Sequence, residues 1–215
     1  MYRPGFWQKC LSYLWPLNLE TIDGQSKHRL EVNLYRGKCM LDSAEVNYSF
    51  GELHRVMEQV LEKINHKELF DQVLILGYGG GSVAKIIREK YDPDSQIVGI
   101  ENDAKVIQLA QKYFYTQEVK LLHADAFEYV KKAANQHWSY SLIVIDLFVD
   151  AQIPQFPDDF LQHLGQILQT QSKVVLNTML DAEKFEKLGS KLKSAGFTLQ
   201  SWNDIPQNRV WILTL

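Results

Sequence analysis

The chain has 215 residues, 46% of them hydrophobic and 23% charged, with a formal net charge of −3. These values fit one substantial core with at most a small appendage, and they exclude disordered and collagen-like classes. Lys and Arg are scattered rather than clustered, so no basic stripe argues for nucleic acid.

Two cysteines, Cys10 and Cys39, cannot form a disulfide framework, and the six histidines share no metal-ligand spacing with them. Both cysteines read as packing residues of a reducing compartment, and no metal is expected. No apolar run approaches the roughly 20 residues that span a bilayer. The first residues lack the basic head and unbroken apolar stretch of a signal peptide. The expected location is the cytoplasm, with no membrane partner.

Residues 1–49 read as a small N-terminal region, and 50–215 as a second, larger domain. Residues 1–28 look irregular and aromatic-rich, with Tyr2, Phe6, Trp7, Tyr13 and Trp15 between the breakers Pro4 and Pro16. Such a segment packs on the chain's own body or on a twin subunit, which makes a homodimer compatible with the sequence. A membrane-interface anchor is the competing reading, disfavoured because Arg3 and Lys9 are the only positive charges up to Leu19. Residues 29–49 predict a hairpin: "RLEVNLY" alternates, "RGK" offers a glycine turn, and "CMLDSAEVNYS" continues extended. A helix follows, because Leu53, Val56, Met57, Val60, Leu61 and Ile64 recur at three- and four-residue steps.

From Asp71 onward short apolar strands alternate with helical patterns. Strands are predicted near 73–77, 96–101, 119–123, 140–146, 172–178, 197–202 and 209–215. Helices are predicted near 82–90, 103–113, 126–134, 158–169 and 183–194. Runs such as "VLIL" and "LIVI" suit parallel strands buried on both faces. The fold class is therefore α/β: a doubly wound, mostly parallel seven-stranded sheet. The last two strands are joined only by "NDIPQN", which predicts an antiparallel C-terminal hairpin.

The stretch "VLILGYGGGSVAKII" breaks from a strand into glycines and then a helix. Gly77, Gly79 and Gly81 let the backbone take positive φ and approach a ligand, and the helix offers its N-terminal N–H groups. A phosphate-binding P-loop needs Gly-Lys-Ser/Thr, and this loop ends Gly-Ser-Val. A dinucleotide fingerprint needs a sixth-position glycine, and Ser82 stands there. A nucleophile elbow fits "GGSVA", with Ser82, then Asp146 or Asp150, then His163 as a serine hydrolase triad. His163 lies inside a predicted helix, however, rather than in a loop after a late strand.

An S-adenosyl nucleoside site meets more of the pattern. Glu101 ends strand "IVGIE" where an acid accepts hydrogen bonds from ribose hydroxyls, and Asp125 with the small Ala126 follows "VKLLHA" where adenine is held. Asp146 ends "LIVI", facing the reacting centre. Each acid alone could be a solvated loop carboxylate, and Asp125 could cap the helix starting at Ala126.

With "IVGIENDAKVIQLAQKYF", "VKLLHADAFEYV" and "YSLIVIDLFVDAQIP" added to the glycine stretch, the chain resembles the spermidine synthase superfamily and its shorter methyltransferase-like members. The hairpin "LEVNLYRGKCMLDSAEVNYS" resembles that family's small N-terminal β-region. The resemblance implies a Rossmann-like methyltransferase fold and a donor that is S-adenosylmethionine or its decarboxylated form. It implies Gly77, Gly79 and Gly81 around the nucleoside, Glu101 on ribose, and Asp125 with Ala126 on adenine. Asp146 matches the first acid of the family's Asp-x-x-Asp motif, which deprotonates and orients the attacking amine. The second acid belongs at Val149, and Asp150 comes one residue late. The family's Tyr-His-Glu signature is absent: Tyr48 is followed by Ser49 and Phe50, with Glu52 and His54 nearby at other spacings. The expected function is transfer of a methyl or aminopropyl group to a small acceptor of unassigned identity, with an amine among the candidates. Asp146 and Asp150 are the candidate catalytic residues, and burial beside Leu147, Phe148 and Val149 would raise the pKa of Asp146. The alternatives are a nucleoside-binding protein that has lost the acceptor site, and the serine hydrolase.

Overall fold

The structure is a computed structural model, and it describes residues 2–24, 29–43, 47–49, 52–64, 67–114, 116–147, 155–178, 180–205 and 208–215. A short helix α1 (Phe6–Leu11) precedes strands β1 (Leu17–Asp23), β2 (Arg29–Tyr35), β3 (Lys38–Ser43) and β4 (Asn47–Ser49). After α2 (Glu52–Lys63) and a 3-10 turn (Lys67–Phe70) comes the alternating part: β5 (Gln72–Leu76), α3 (Ser82–Lys90), β6 (Gln96–Glu101), α4 (Ala104–Tyr113), β7 (Val119–His123), α5 (Ala126–Asn135) and β8 (Tyr140–Ile145). The chain ends with α6 (Phe160–Gln166), β9 (Leu168–Thr178), α7 (Ala182–Ser194), β10 (Thr198–Ile205) and β11 (Asn208–Thr214).

The large sheet has seven strands in the order β10-β11-β9-β8-β5-β6-β7. β8, β5, β6, β7 and β9 pair in parallel, while β11 runs antiparallel to both β9 and β10. Strand order reverses between β5 and β8, and that switch point is where open α/β sheets leave a crevice for ligands. The period-two geometry of the strands explains their continuous apolar sequence. Leu74, Leu76, Ile143, Ile145, Val174 and Leu176 pack on one face with α5, α6 and α7. Val73, Ile75, Leu142, Val144 and Val175 pack on the other face with α2 and α3. Both faces are covered, so alternation would leave a polar residue buried.

The N-terminal region is more ordered than its sequence suggests. Leu17–Asp23 forms β1, an antiparallel edge partner of β2, in a four-stranded sheet of order β1-β2-β3-β4. The signal lies in "LNLETI", which alternates like a half-buried strand but sits among aromatics and prolines. Leu30, Val32 and Leu41 of this sheet pack on Val106, Leu109 and Tyr113 of α4 and on Phe114. Tyr2 is held on the same helix, with its N–H donating to Lys112 O at 3.0 Å and its ring against Tyr113. Phe6 and Trp7 do not pack this way; they are 74% and 76% exposed.

Four further sequence expectations shift. The helix predicted over 158–169 spans only Phe160–Gln166, and the strand predicted over 172–178 begins at Leu168. Tyr140 pairs with Leu168 before the register slips to Leu142 on Lys173, with Gln171 at φ 62. This bulge lets the polar run "QTQS" stay in the sheet, because pairing with β8 outweighs local composition. The link "NDIPQN" is mostly strand, since β10 reaches Ile205 and β11 starts at Asn208. Cys10 is exposed on α1 rather than packed, whereas Cys39 packs on the β2–α4 cluster; both are free thiols. Among the described residues no helix is long and apolar enough to cross a membrane.

The interface between the small sheet and α4 is a packed core, so its disruption should be costly. Leu109→Ala is expected to lower stability by about 2–5 kcal/mol, read as a shift in the urea midpoint.

Candidate active site

The glycine loop is fixed by the end of β6. The N–H groups of Gly77 and Tyr78 both donate to Ile100 O at 3.0 Å, and Gly79 N–H donates to Glu101 Oε2 at 3.0 Å. Gly77, Gly79 and Gly81 have φ values of 86°, 53° and 76°, the left-handed region that side chains disfavour. Gly77 is constrained twice, because a Cβ there would stand 2.2 Å from Asp146 O. That carbonyl begins the segment after β8, and Asp146 N–H in turn donates to Leu76 O at 2.9 Å. The loop and Asp146 therefore meet backbone to backbone at the switch point. The ring of buried Tyr78 covers Gly99 of β6, where a Cβ would lie 2.4 Å from Cδ2.

Glu101 is a buried carboxylate held by main-chain donors. Its Oε2 accepts from Gly79 N–H, and its Oε1 accepts from Asp103 N–H at 3.1 Å. Burial pushes its pKa above the ordinary carboxylate value, while the amides of Gly79, Asp103 and Asn102 pull the other way. The residue is thus oriented before any ligand arrives.

Asp125 is the N-cap of α5, its Oδ1 accepting from Phe127 N–H at 2.8 Å and Glu128 N–H at 3.0 Å. The cap uses one oxygen of an exposed carboxylate, so capping and ligand binding are compatible. Ala126 is buried at the first position of α5. Asp146 is part-buried at the end of β8, with Asn177 Nδ2 donating to its Oδ1 at 2.8 Å. Burial raises its pKa to about 6, opposed by the Asn177 hydrogen bond and reinforced by the charge of Glu101. Phe148, Val149 and Asp150 lie outside the described residues, so the second candidate acid has no position here.

Asn177 is the residue that sequence reading passed over. It is fully buried near the end of β9, opposite Asp146, and its Oδ1 has no hydrogen-bond partner. Its signal was present: one amide in the apolar run "VVLNT" is an expensive residue to bury without purpose.

The serine hydrolase arrangement is not formed. Ser82 Oγ is buried without a hydrogen-bond partner, and the His163 ring stands against Asp159 of its own helix region, Nδ1 to Oδ2 being 3.7 Å. Asp146 is engaged by Asn177 rather than by a histidine. An elbow serine needs an adjacent base, and none among the described residues hydrogen-bonds to it. Among the described residues no group of three or more His, Cys, Asp or Glu is placed to hold a metal.

Two outcomes are expected. Gly77→Ala should cost about 2–5 kcal/mol in chemical denaturation, from left-handed strain plus the clash with Asp146 O. Asp146 retains a proton in the folded state between its ordinary 3.8 and about 6, where the unfolded chain has released it. Its contribution to stability is therefore complete below that window and is lost as pH rises through about 6. Asp146→Asn should flatten this part of the fall in thermal midpoint, leaving the slope from Glu101, which has the same sign.

A sequence profile of the spermine/spermidine synthase domain matches residues 56–209. A polyamine aminopropyltransferase of Vibrio vulnificus (strain CMCP6) is 31% identical over 129 residues, 58% of this chain and 43% of that protein, so the match spans less than half of the relative's length. A probable spermidine synthase from Corynebacterium glutamicum ATCC 13032 superposes with a TM-score of 0.71 at 17% identity, covering 91% of this chain and 79% of that one. Human methyltransferase-like protein 13, solved in complex with SAH, gives 0.65 at 22% identity over 77% of this chain and 83% of its own. The last two show a shared Rossmann-like methyltransferase fold, and the profile match, over most of the chain, shows the rest: this chain belongs to the spermine/spermidine synthase domain family.

Proposed function

We propose that the chain is a transferase that binds an S-adenosyl donor at the β5–β8 switch point and alkylates a small acceptor, an amine foremost. The observation that carries this is the pairing of a buried acid with a part-buried one, each in different surroundings. Glu101 is fixed by the Gly79 and Asp103 amides as a ribose acceptor, and Asp146 stands beside it as a proton acceptor with a pKa raised to about 6. The names of the relatives support the reading: one is a polyamine aminopropyltransferase, and a fold neighbour was solved with SAH.

The residues fit such a group. The glycine loop removes every Cβ from the approach to Glu101 except that of Tyr78, whose ring turns onto Gly99. When bound here, an S-adenosyl sulfonium would supply the alkyl carbon, the C–S electron pair staying on sulfur as a neutral thioether. Gly77, Gly79 and Gly81 border the nucleoside, Glu101 accepts from ribose hydroxyls, and Asp125 with Ala126 flanks adenine. Asp146 takes the proton from an ammonium acceptor before the freed nitrogen lone pair attacks the carbon, or from an amine acceptor as the new N–C bond forms. Asn177 holds Oδ1 of Asp146, which aims the carboxylate and opposes its protonation. Positioning is the larger part of the catalysis, because the leaving group needs no activation.

Titration calorimetry with methylthioadenosine tests the nucleoside site: micromolar-range binding is expected, weakened on the order of tenfold by Glu101→Gln. Asp146→Asn should keep that binding and lose about 10²–10⁴-fold in amine alkylation. Absence of binding overturns the reading. Binding with no turnover of any acceptor supports a nucleoside-binding protein instead.

A further inference from the structure

Helix α1 is attached to the protein by its polar side and turns its apolar side outward. At about 3.6 residues per turn, Phe6, Trp7 and Leu11 fall on one side and Gln8, Lys9 and Ser12 on the other. Arg36 N–H donates to Ser12 O at 2.8 Å, and Gly37 N–H donates to Ser12 Oγ at 2.9 Å. The Lys9 side chain lies over the same β2–β3 turn, its Cε 3.1 Å from where a Gly37 Cβ would stand. Ser12 is fully buried there, whereas no residue of α1 itself is buried. Beyond α1 the exposed series continues through Tyr13, Leu14 (72% exposed) and Trp15. An isolated helix of this length is marginal in water, and apolar side chains stabilise it only once they are covered. Tyr2 OH donates to Gln8 Oε1 at 3.1 Å, and Tyr2 also lines, with Pro4, Lys38 and Cys39, a cavity of about 140 Å³ at the glycine loop. The exposed helix therefore adjoins the glycine-loop end of the candidate site.

The charge of the segment selects what covers it. Residues 1–19 contain Arg3 and Lys9 and no Asp or Glu. The fold adds a third cation that spacing along the chain hides, because exposed Arg36 stands at the turn that holds Ser12. The first acid in the chain, Glu20, is engaged by Lys112 at 2.7 Å. We propose that residues 3–15 dock this chain on an anionic lipid surface. Phe6, Trp7, Leu14 and Trp15 enter the boundary between headgroups and acyl chains, a depth that suits aromatic side chains, and Arg3, Lys9 and Arg36 meet the lipid phosphates and carboxylates. The net charge of −3 does not oppose this, since charges more than about 10 Å from the surface are screened at physiological salt. A second copy is the weaker occupant. An isologous contact would bring the three cations of each copy into one interface, with no acid in either segment to answer them.

Vesicle flotation of the whole chain tests this, with phosphatidylcholine alone and with about 30% phosphatidylserine added. The expected result is partitioning at least about tenfold stronger onto the phosphatidylserine vesicles, with the advantage fading as salt rises towards about 1 M. Phe6→Ser/Trp7→Ser/Leu14→Ser should weaken partitioning by about tenfold or more. Lys9→Gln/Arg36→Gln should bring the two vesicle types close together. Both variants should keep the wild-type urea midpoint, because the five side chains are exposed. Failure of the wild type to bind either vesicle overturns the proposal without any variant, and so does equal binding to both. Undiminished binding by the folded triple-serine variant overturns the assignment to this segment. Self-association in sedimentation equilibrium that the triple-serine variant abolishes, together with no vesicle binding, gives the face to a second copy and overturns the lipid proposal.

Discussion

The site depends on one close approach: the backbone of Gly77 passes the carbonyl of Asp146 with no room for a side chain. β5 and β8 are neighbours in the sheet although a long stretch of sequence separates them, and the strand order reverses between them. The Asp146 N–H to Leu76 O hydrogen bond holds their ends together. Because the loop can turn there, Gly79 reaches Glu101, and the acid of β6 is brought within electrostatic reach of the acid of β8. Any Cβ at Gly77 would push β5 and β8 apart at the point where their ends define the crevice.

The two acids differ because their surroundings do. Both are raised by burial, yet Glu101 is tied to main-chain amides through each of its oxygens, whereas Asp146 has one side-chain donor, Asn177. Amides that are part of the fold cannot rotate away, so Glu101 has a fixed orientation suited to binding. A carboxylate restrained from one side, with a pKa near 6, is suited to accepting a proton near neutral pH. Asn177 completes this division: it is fully buried, and its second polar atom remains unpaired. A buried amide with an orphan oxygen has a desolvation cost that purely structural positions avoid.

The N-terminal sheet bears on the site through α4. Its apolar face packs on Val106, Leu109 and Tyr113, and this places β3, with Lys38 and Cys39, beside the start of α3. The small sheet thereby supplies one wall of the cavity at the glycine loop. Burial raises the Cys39 thiol to about 11, so that wall is neutral apart from its lysine.

The alternation of "VLIL", "LIVI" and "VVL" with helical periods was enough to give the large sheet, its antiparallel end and most helices, because burial on both faces leaves an unambiguous apolar run. The placement of the glycines, Glu101, Asp125 and Asp146 was legible for a related reason: each ends or closely follows a strand, and strand ends in such sheets border the crevice. Asp125 was legible as a cap, and its capping uses only Oδ1 of the carboxylate. Where local and tertiary preferences compete, the sequence alone did not decide. "QTQS" joins β9 through a bulge that only β8 provides, and "LNLETI" becomes a strand only because β2 lies beside it. The same holds for chemistry. An elbow-like motif around Ser82 offers a nucleophile, and the structure leaves its hydroxyl without a hydrogen-bond partner; the buried amide of "VVLNT" signals a purpose, and only the fold shows it to be Asp146, 2.8 Å away. Sequence alone determined which elements form and which acids stand at their ends, since periodicity and strand termini are local properties. Only the tertiary structure decided which of those groups meet, because the meeting of Gly77 with Asp146 and of Asp146 with Asn177 is set by sheet order and packing rather than by spacing along the chain.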